Sequence, residues 1–177
     1  YESADLYYNV ANCYFRKGEL AASILNYERA LKLDPSHDDA KHNLEFAESR
    51  TVDKIDSLGS VFLVDWWNAI ANITSADAWA WIAISLFIIV LVALSLYIFV
   101  RKMWVRKVGF SVAIVALFFT IISILCAYTR YEVETSKSEA IVFSQTVTIK
   151  SSPDSSGNDL FILHEGTKVN IKSTLGE

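Results

Sequence analysis

The sequence predicts a mainly α fold: a helix–turn–helix unit with a capping helix, then a two-helix transmembrane hairpin, then a partial small β barrel. Ala78–Val100 and Val108–Tyr128 contain no charged side chain, and the seven-residue connector Arg101–Lys107 carries four positive charges. The arm before them has apolar residues at helical spacing. The arm after them is rich in Ser, Thr, Val and Ile. The corresponding boundaries are residues 1–58 for the helical unit, 59–77 for a Trp-rich interfacial linker, 78–128 for the hairpin, 129–139 for a second linker and 140–177 for the β domain.

The helical unit comes first. Leu6, Tyr7, Val10, Ala11 and Tyr14 form one apolar block, and Leu20, Ile24, Tyr27, Ala30 and Leu31 form another, with Arg16-Lys17-Gly18-Glu19 between them. Both blocks have the i, i+3, i+4 spacing of one helix face. Gly18 makes the turn, and Asp34-Pro35 ends the second helix because proline cannot continue one and restricts the residue before it. Ser36-His37-Asp38-Asp39 then reads as an N-cap with an acidic first turn. It opens a third helix carrying Ala40, Leu44, Ala47, Val52, Ile55 and Leu58.

The spacing Tyr7-x2-Val10-Ala11-x2-Tyr14, followed by Ser23-x3-Tyr27, Ala30 and Pro35, resembles the 34-residue tetratricopeptide repeat. Tyr7 stands where that repeat usually has Trp, and Ser23 where it usually has Ala. Glu45 and Glu48 fall where a further repeat would bury small or aromatic residues, so the third helix is expected to cap the array. One repeat and a cap make a small core, which leads to the expectation of further repeats before Tyr1 and of a chain that is a fragment.

The resemblance implies that the first helix of each helix pair lines an inner, peptide-binding face. Asn9, Asn12 and Asn43 are the candidates there, either for a bound peptide's backbone and C-terminal carboxylate or for bonds to neighbouring helices and water. A carboxylate clamp would also need Lys or Arg on that face, and only Lys41 is near. Tyr8 and Tyr14 read as packing residues.

Val61–Trp67 is too short to cross a bilayer, but its tryptophans suit the interface. Trp66, Trp67, Trp79 and Trp81 would form an aromatic belt on one side of the membrane, with Trp104 on the other. The alternative for Trp66 and Trp67 is packing on the last repeat helix. Each apolar stretch is long enough, at about 1.5 Å per helical residue, to cross a hydrocarbon core of about 30 Å. Arg101, Lys102, Arg106 and Lys107 should hold the connector in the cytoplasm, which places both arms on the opposite side.

Neither span contains Asp, Glu, Lys, Arg or His, which disfavours ion transport and proton relay. Small and hydroxyl residues, namely Ser85, Ala93, Ser95, Ala113, Ala116, Thr120 and Ser123, would permit close helix contact with each other or with partner helices. The hairpin reads as an anchor, with recruitment of membrane partners as the further option.

In the last arm, Ala140–Val142, Thr146–Lys150, Leu160–Leu163 and Lys168–Lys172 read as strands separated by polar turns. A Val-x-Ile strand, Ser-Ser-Pro-Asp, Leu-Phe-Ile-Leu and Glu-Gly-Thr-Lys-Val-x-Ile together resemble the first half of a bacterial SH3 domain. Such domains often bind cell-wall peptides or protein segments outside the cytoplasm, so the resemblance implies peptidoglycan or a protein segment as ligand.

The average mean hydropathy of +0.30 and net charge of −4 describe none of these parts singly. No basic run with interleaved aromatics exists away from the connector, which argues against nucleic acid. His37 and His42 are five residues apart, off a common helix face, and His164 lies far along the chain, so no metal site is expected. Asp38-Asp39 suits a helix N-terminus rather than acid–base chemistry. With no phosphate loop or nucleophile motif, the expectation is a non-enzyme without cofactors. Cys13 and Cys126 fall in different modules, which offers no disulfide framework.

In this order, repeat, Trp-rich link, hairpin and SH3-like tail resemble the tetratricopeptide-repeat membrane proteins of Bacteroidetes aerotolerance (Bat) operons, in particular the BatE-like members. Tyr8–Phe15, Asn26–Leu31 and Asn43–Ala47 carry most of that likeness. The resemblance implies a multi-pass protein of the bacterial inner membrane with both ends periplasmic. It further implies a scaffold in an envelope-stress or aerotolerance complex with von Willebrand factor A domain proteins, linked to a MoxR-type ATPase.

Overall fold

The computed structural model describes residues 2–54, 62–136, 138–152 and 157–173. Helix α1 (Ala4–Lys17) ends at Gly18, whose φ of 81° lies in the left-handed region that glycine adopts without a Cβ penalty. Its N–H closes onto Phe15 O. Helix α2 (Leu20–Leu33) stops at Asp34, ahead of Pro35. Ala11 and Ala30 are fully buried, which lets the helices approach closely around Ile24 and Tyr27. Ser23 is also fully buried, and its hydroxyl is satisfied by Leu20 O at 2.7 Å.

Helix α3 (Asp38–Glu48) is shorter than the apolar spacing predicts. The hydroxyls of Ser49 and Thr51 turn back onto Phe46 O and Glu48 O at 2.7 and 2.8 Å, competing for the carbonyls that a continuing helix would need. Val52 lies beyond the helix and is 71% exposed. Ile55 and Leu58 lie outside the described residues. Within Ser36-His37-Asp38-Asp39 the N-cap is His37. Its Nδ1 accepts from Ala40 N at 3.3 Å, while the Ser36 hydroxyl bonds Asp34.

The tail forms β1 (Glu139–Ile141), β2 (Thr146–Lys150), β3 (Asp159–His164) and β4 (Lys168–Asn170). Among the described residues these make two two-stranded antiparallel ladders, β1 with β4 and β2 with β3. Ile141 opposes Lys168, and Thr146 opposes His164. The second ladder is irregular at Ile149/Lys150.

The largest departure from the expected modules is that repeat and tail belong together. The chain divides into two compact units, one drawing on Tyr1–Val61 and Thr135–Glu177, the other being Phe62–Glu134. Ile141 packs against the core of Ala11, Ile24, Tyr27, Leu44 and Ala47. The tail thus covers apolar surface of α2, with Gly166 against Ile24 and Leu20.

In the second unit, helix α4 (Phe62–Ala71) occupies most of the segment expected as a linker. Helix α5 (Ala76–Phe99) and helix α6 (Met103–Thr135) follow, and both are long and apolar enough to cross a membrane. The basic connector is tighter than expected, because Arg106 and Lys107 already lie in the first turns of α6. At its other end α6 continues into the segment expected as a linker, as far as Thr135. Tyr128 donates to Glu132 at 2.8 Å and Arg130 lies 3.7 Å from Glu134, both i, i+4 pairs that favour helix.

The seam of α6 is Gly109, Ala113, Ala116, Thr120, Ser123, Cys126 and Arg130, all buried at the near 3.5-residue spacing of left-handed helix pairs. Ala83, Val90 and Ala93 form the buried face of α5. A Cβ on Gly109 would meet Ala93 O at 3.0 Å, so glycine permits the close approach there. Ser85 and Ser95 are exposed instead, with their hydroxyls bonded to Trp81 O and Leu91 O one turn back.

Candidate peptide-binding face of the repeat

The amide-rich face of the repeat is built by three helices. The α1/α2 turn at Gly18 brings Asn12 of α1 against Tyr27 of α2, and Asn12 Oδ1 accepts from the Tyr27 hydroxyl at 2.6 Å. Burial pushes the Tyr27 hydroxyl above its ordinary pKa, so it remains a donor through the physiological range. Asn43 of α3 donates to the same Asn12 oxygen at 3.0 Å, and its Nδ2 lies 3.5 Å from the Tyr8 hydroxyl. The Tyr8 ring in turn sits 4.8 Å from the His37 ring, beside the cap of α3.

Asn12 and Asn43 therefore tie α1, α2 and α3 together. Asn9, one turn earlier on α1, is exposed, as are Cys13 and Lys41. Tyr8 and Phe15 are partly buried against the core. At the end of the same bundle, the Arg50 guanidinium lies 5.0 Å from the Phe15 ring and 4.8 Å from Phe46, which is half exposed.

Residues 4–37 match the tetratricopeptide repeat family. The chain contains a tetratricopeptide repeat. Repeats of this kind generally mediate protein–protein interactions. No curated protein and no solved structure is significantly similar to the chain.

A second set of polar residues joins the tail to the tetratricopeptide repeat, and its pairings were not legible in the sequence. Asp53 accepts from His164 N at 2.7 Å and from the Thr167 hydroxyl at 2.8 Å, while His164 Nδ1 lies 2.7 Å from its other oxygen. The backbone N–H, the imidazole and the hydroxyl together hold the Asp53 carboxyl below its ordinary pKa. Glu165 accepts from Ala21 N in the first turn of α2 at 3.3 Å, where a carboxylate also meets the positive helix end.

Between these anchors lies buried Gly166 at φ 86°. A Cβ there would come within 2.9 Å of Thr51 Cγ2 and 3.1 Å of Ile24 Cδ1. Lys168 lies 2.9 Å from Glu28 and 3.2 Å from Glu139, and Lys32 donates to Ser136 O. Burial works against the Lys168 charge, but the two carboxylates outweigh it and raise the pKa. Among the described residues, no three His, Cys, Asp or Glu side chains cluster as metal ligands.

The remaining predicted residues lie in the second unit. Trp66, Trp81 and Trp104 are 57, 69 and 76% exposed. Trp67 and Trp79 are half-buried: Trp67 donates to the Thr129 hydroxyl of α6 at 3.2 Å, and Trp79 to Ala71 O at 3.0 Å. Beside them Arg130 donates to Asn72 at 2.9 Å, and Glu134 accepts from Ala76 N at 3.1 Å, joining α6 to the start of α5. At the opposite end Arg106 donates to Tyr97 O at 3.2 Å and lies over its ring, whereas Arg101, Lys102 and Lys107 are exposed.

Proposed function

We propose that the protein is a non-catalytic, membrane-anchored scaffold. Its tetratricopeptide repeat offers a polar face to a partner peptide or helix, and α5 and α6 cross the membrane as a hairpin. The observation that supports this reading most is the packing of repeat and tail into one unit although the two apolar helices separate them in sequence. A chain folded in this way needs an even number of crossings between its arms, and two helices of sufficient length supply it. The cations Arg101, Lys102, Arg106 and Lys107 orient the connector to the cytoplasm and both arms to the periplasm.

On the repeat, a bound backbone would address the exposed Asn9 amide together with Asn12 Nδ2 and Asn43 Oδ1, the atoms outside the Asn12–Asn43 bond. Asn12 and Asn43 also hold helices together, so Asn9 is the diagnostic position. Asn9→Ala in the full chain is expected to weaken partner capture about five- to tenfold, the loss of one or two hydrogen bonds, with the melting temperature unchanged. Capture equal to that of the unaltered chain would remove Asn9 from the binding face.

The resemblance to Bat-operon proteins supports a place in an envelope-stress or aerotolerance complex with von Willebrand factor A domain proteins and a MoxR-type ATPase. Co-purification of the full chain from membranes tests that assignment. A second reading, an SH3-like tail that binds peptidoglycan, is favoured by β3, which leaves Leu160, Phe161 and Ile162 59, 55 and 54% exposed. It predicts that the protein in detergent sediments with purified sacculi. Failure to sediment would leave the repeat as the binding element.

A further inference from the structure

Near the connector, the close approach of α5 and α6 at Ala93 and Gly109 leaves a groove between them. Its volume is about 270 Å³, and Ile88, Val92 and Leu96 of α5 face Trp104, Val105 and Val108 of α6 across it. The wall is almost wholly apolar. Val92 is 56% exposed and Val108 44% exposed, so the groove opens outward rather than into a core. Arg101 and Lys102 lie in the connector between the groove residues Leu96 and Trp104, and Lys107 lies between Val105 and Val108; all three are exposed, whereas Arg106 is held by Tyr97.

We infer that this groove, together with Arg101, Lys102 and Lys107, is a binding site for one anionic phospholipid of the leaflet that contains the connector. This rests on the membrane-hairpin reading. An acyl chain fills the furrow, the phosphate and its neighbouring negative charge meet the three cations, and the exposed Trp104 indole stands at the headgroup level. Charge complementarity selects this occupant. A partner helix could fill an apolar furrow equally well, but it would have to bring acidic side chains to the level of the connector. A phospholipid carries its negative charge at that depth by construction.

The test is native mass spectrometry of the full chain released from bilayers of equal phosphatidylglycerol and phosphatidylcholine. The unaltered protein is expected to retain one phosphatidylglycerol in clear preference to phosphatidylcholine. Replacing Arg101, Lys102 and Lys107 together by Gln should abolish the preference, with a loss of about fivefold per charge removed. Val92→Trp, or Ile88→Trp on the same wall, should displace the retained lipid while leaving the cations in place.

Lipid retained with equal preference in the groove-filled variants would overturn the site and leave only diffuse attraction by the connector. Absence of any preference in the unaltered chain would overturn it as well. Carbonate extraction of the same membranes separates this outcome from failure of the hairpin. A chain that stays embedded but shows no preference loses only the lipid site, and a chain that washes off loses the hairpin.

Discussion

Asp53 ties the tail to the end of the repeat unit, since a backbone N–H, an imidazole and a hydroxyl converge on it. Its folded pKa is lowered. The stabilisation it contributes is therefore complete above the ordinary carboxylate value of about 3.9 and is lost as the pH falls through the lower folded value. Asp53→Asn removes the charge and one acceptor oxygen. Amide hydrogen exchange at His164–Thr167 should then accelerate at neutral pH, and the acid-induced loosening of the tail should flatten. Unchanged protection would mean that Ile141 and Gly166 hold the tail without it. The sequence revealed local roles at this scale, such as Gly18 in its turn and Ala11 and Ala30 in the helix contact. It concealed Asp53 because its partners lie more than a hundred residues away. Asn12 and Asn43 stood out in the sequence as candidates on the inner face of the repeat, but the bond between them depends on how α3 packs.

At the scale of elements, the boundaries that differed from expectation were decided by side chains outside the apolar pattern. Helix α3 stops early because Ser49 and Thr51 take its last carbonyls, and α6 runs on because Glu132 and Glu134 pair one turn back. Helix α6 has 33 residues, about 50 Å at 1.5 Å per residue, more than a hydrocarbon core requires. The close pairing of α5 with α6 turns on Gly109. Gly109→Leu places a Cβ about 3.0 Å from Ala93 O, too near for undisturbed packing, and the two helices must separate there. A disulfide introduced across the seam by Ala93→Cys and Ala113→Cys, with Cys13 and Cys126 replaced by Ser, should form less readily in the Gly109→Leu background. Equal crosslinking yields would show that the seam does not depend on this glycine. Small residues in the spans were visible in the sequence, but which of them form the seam was not, since Ser85 and Ser95 have the same chemistry and face outward.

For the whole molecule, a chain that seemed to consist of separate modules in series proves to close on itself. The tail returns past two long apolar helices to cover the repeat, with Lys168 between Glu28 and Glu139 and Ile141 on the repeat core. No local pattern announces such a contact, because it joins segments more than a hundred residues apart in sequence. The closure gives the membrane-hairpin account its sharpest consequence, that repeat and tail share one side of the membrane and the basic connector lies on the other. Single cysteines at Ser36, Lys102 and Ser144, in a chain with Cys13 and Cys126 replaced by Ser, allow that arrangement to be read with a membrane-impermeant maleimide on intact cells. The account predicts labelling at Ser36→Cys and Ser144→Cys without permeabilisation and at Lys102→Cys only after it. Labelling of the two arms from opposite sides, or of Lys102→Cys alongside them in intact cells, would contradict it.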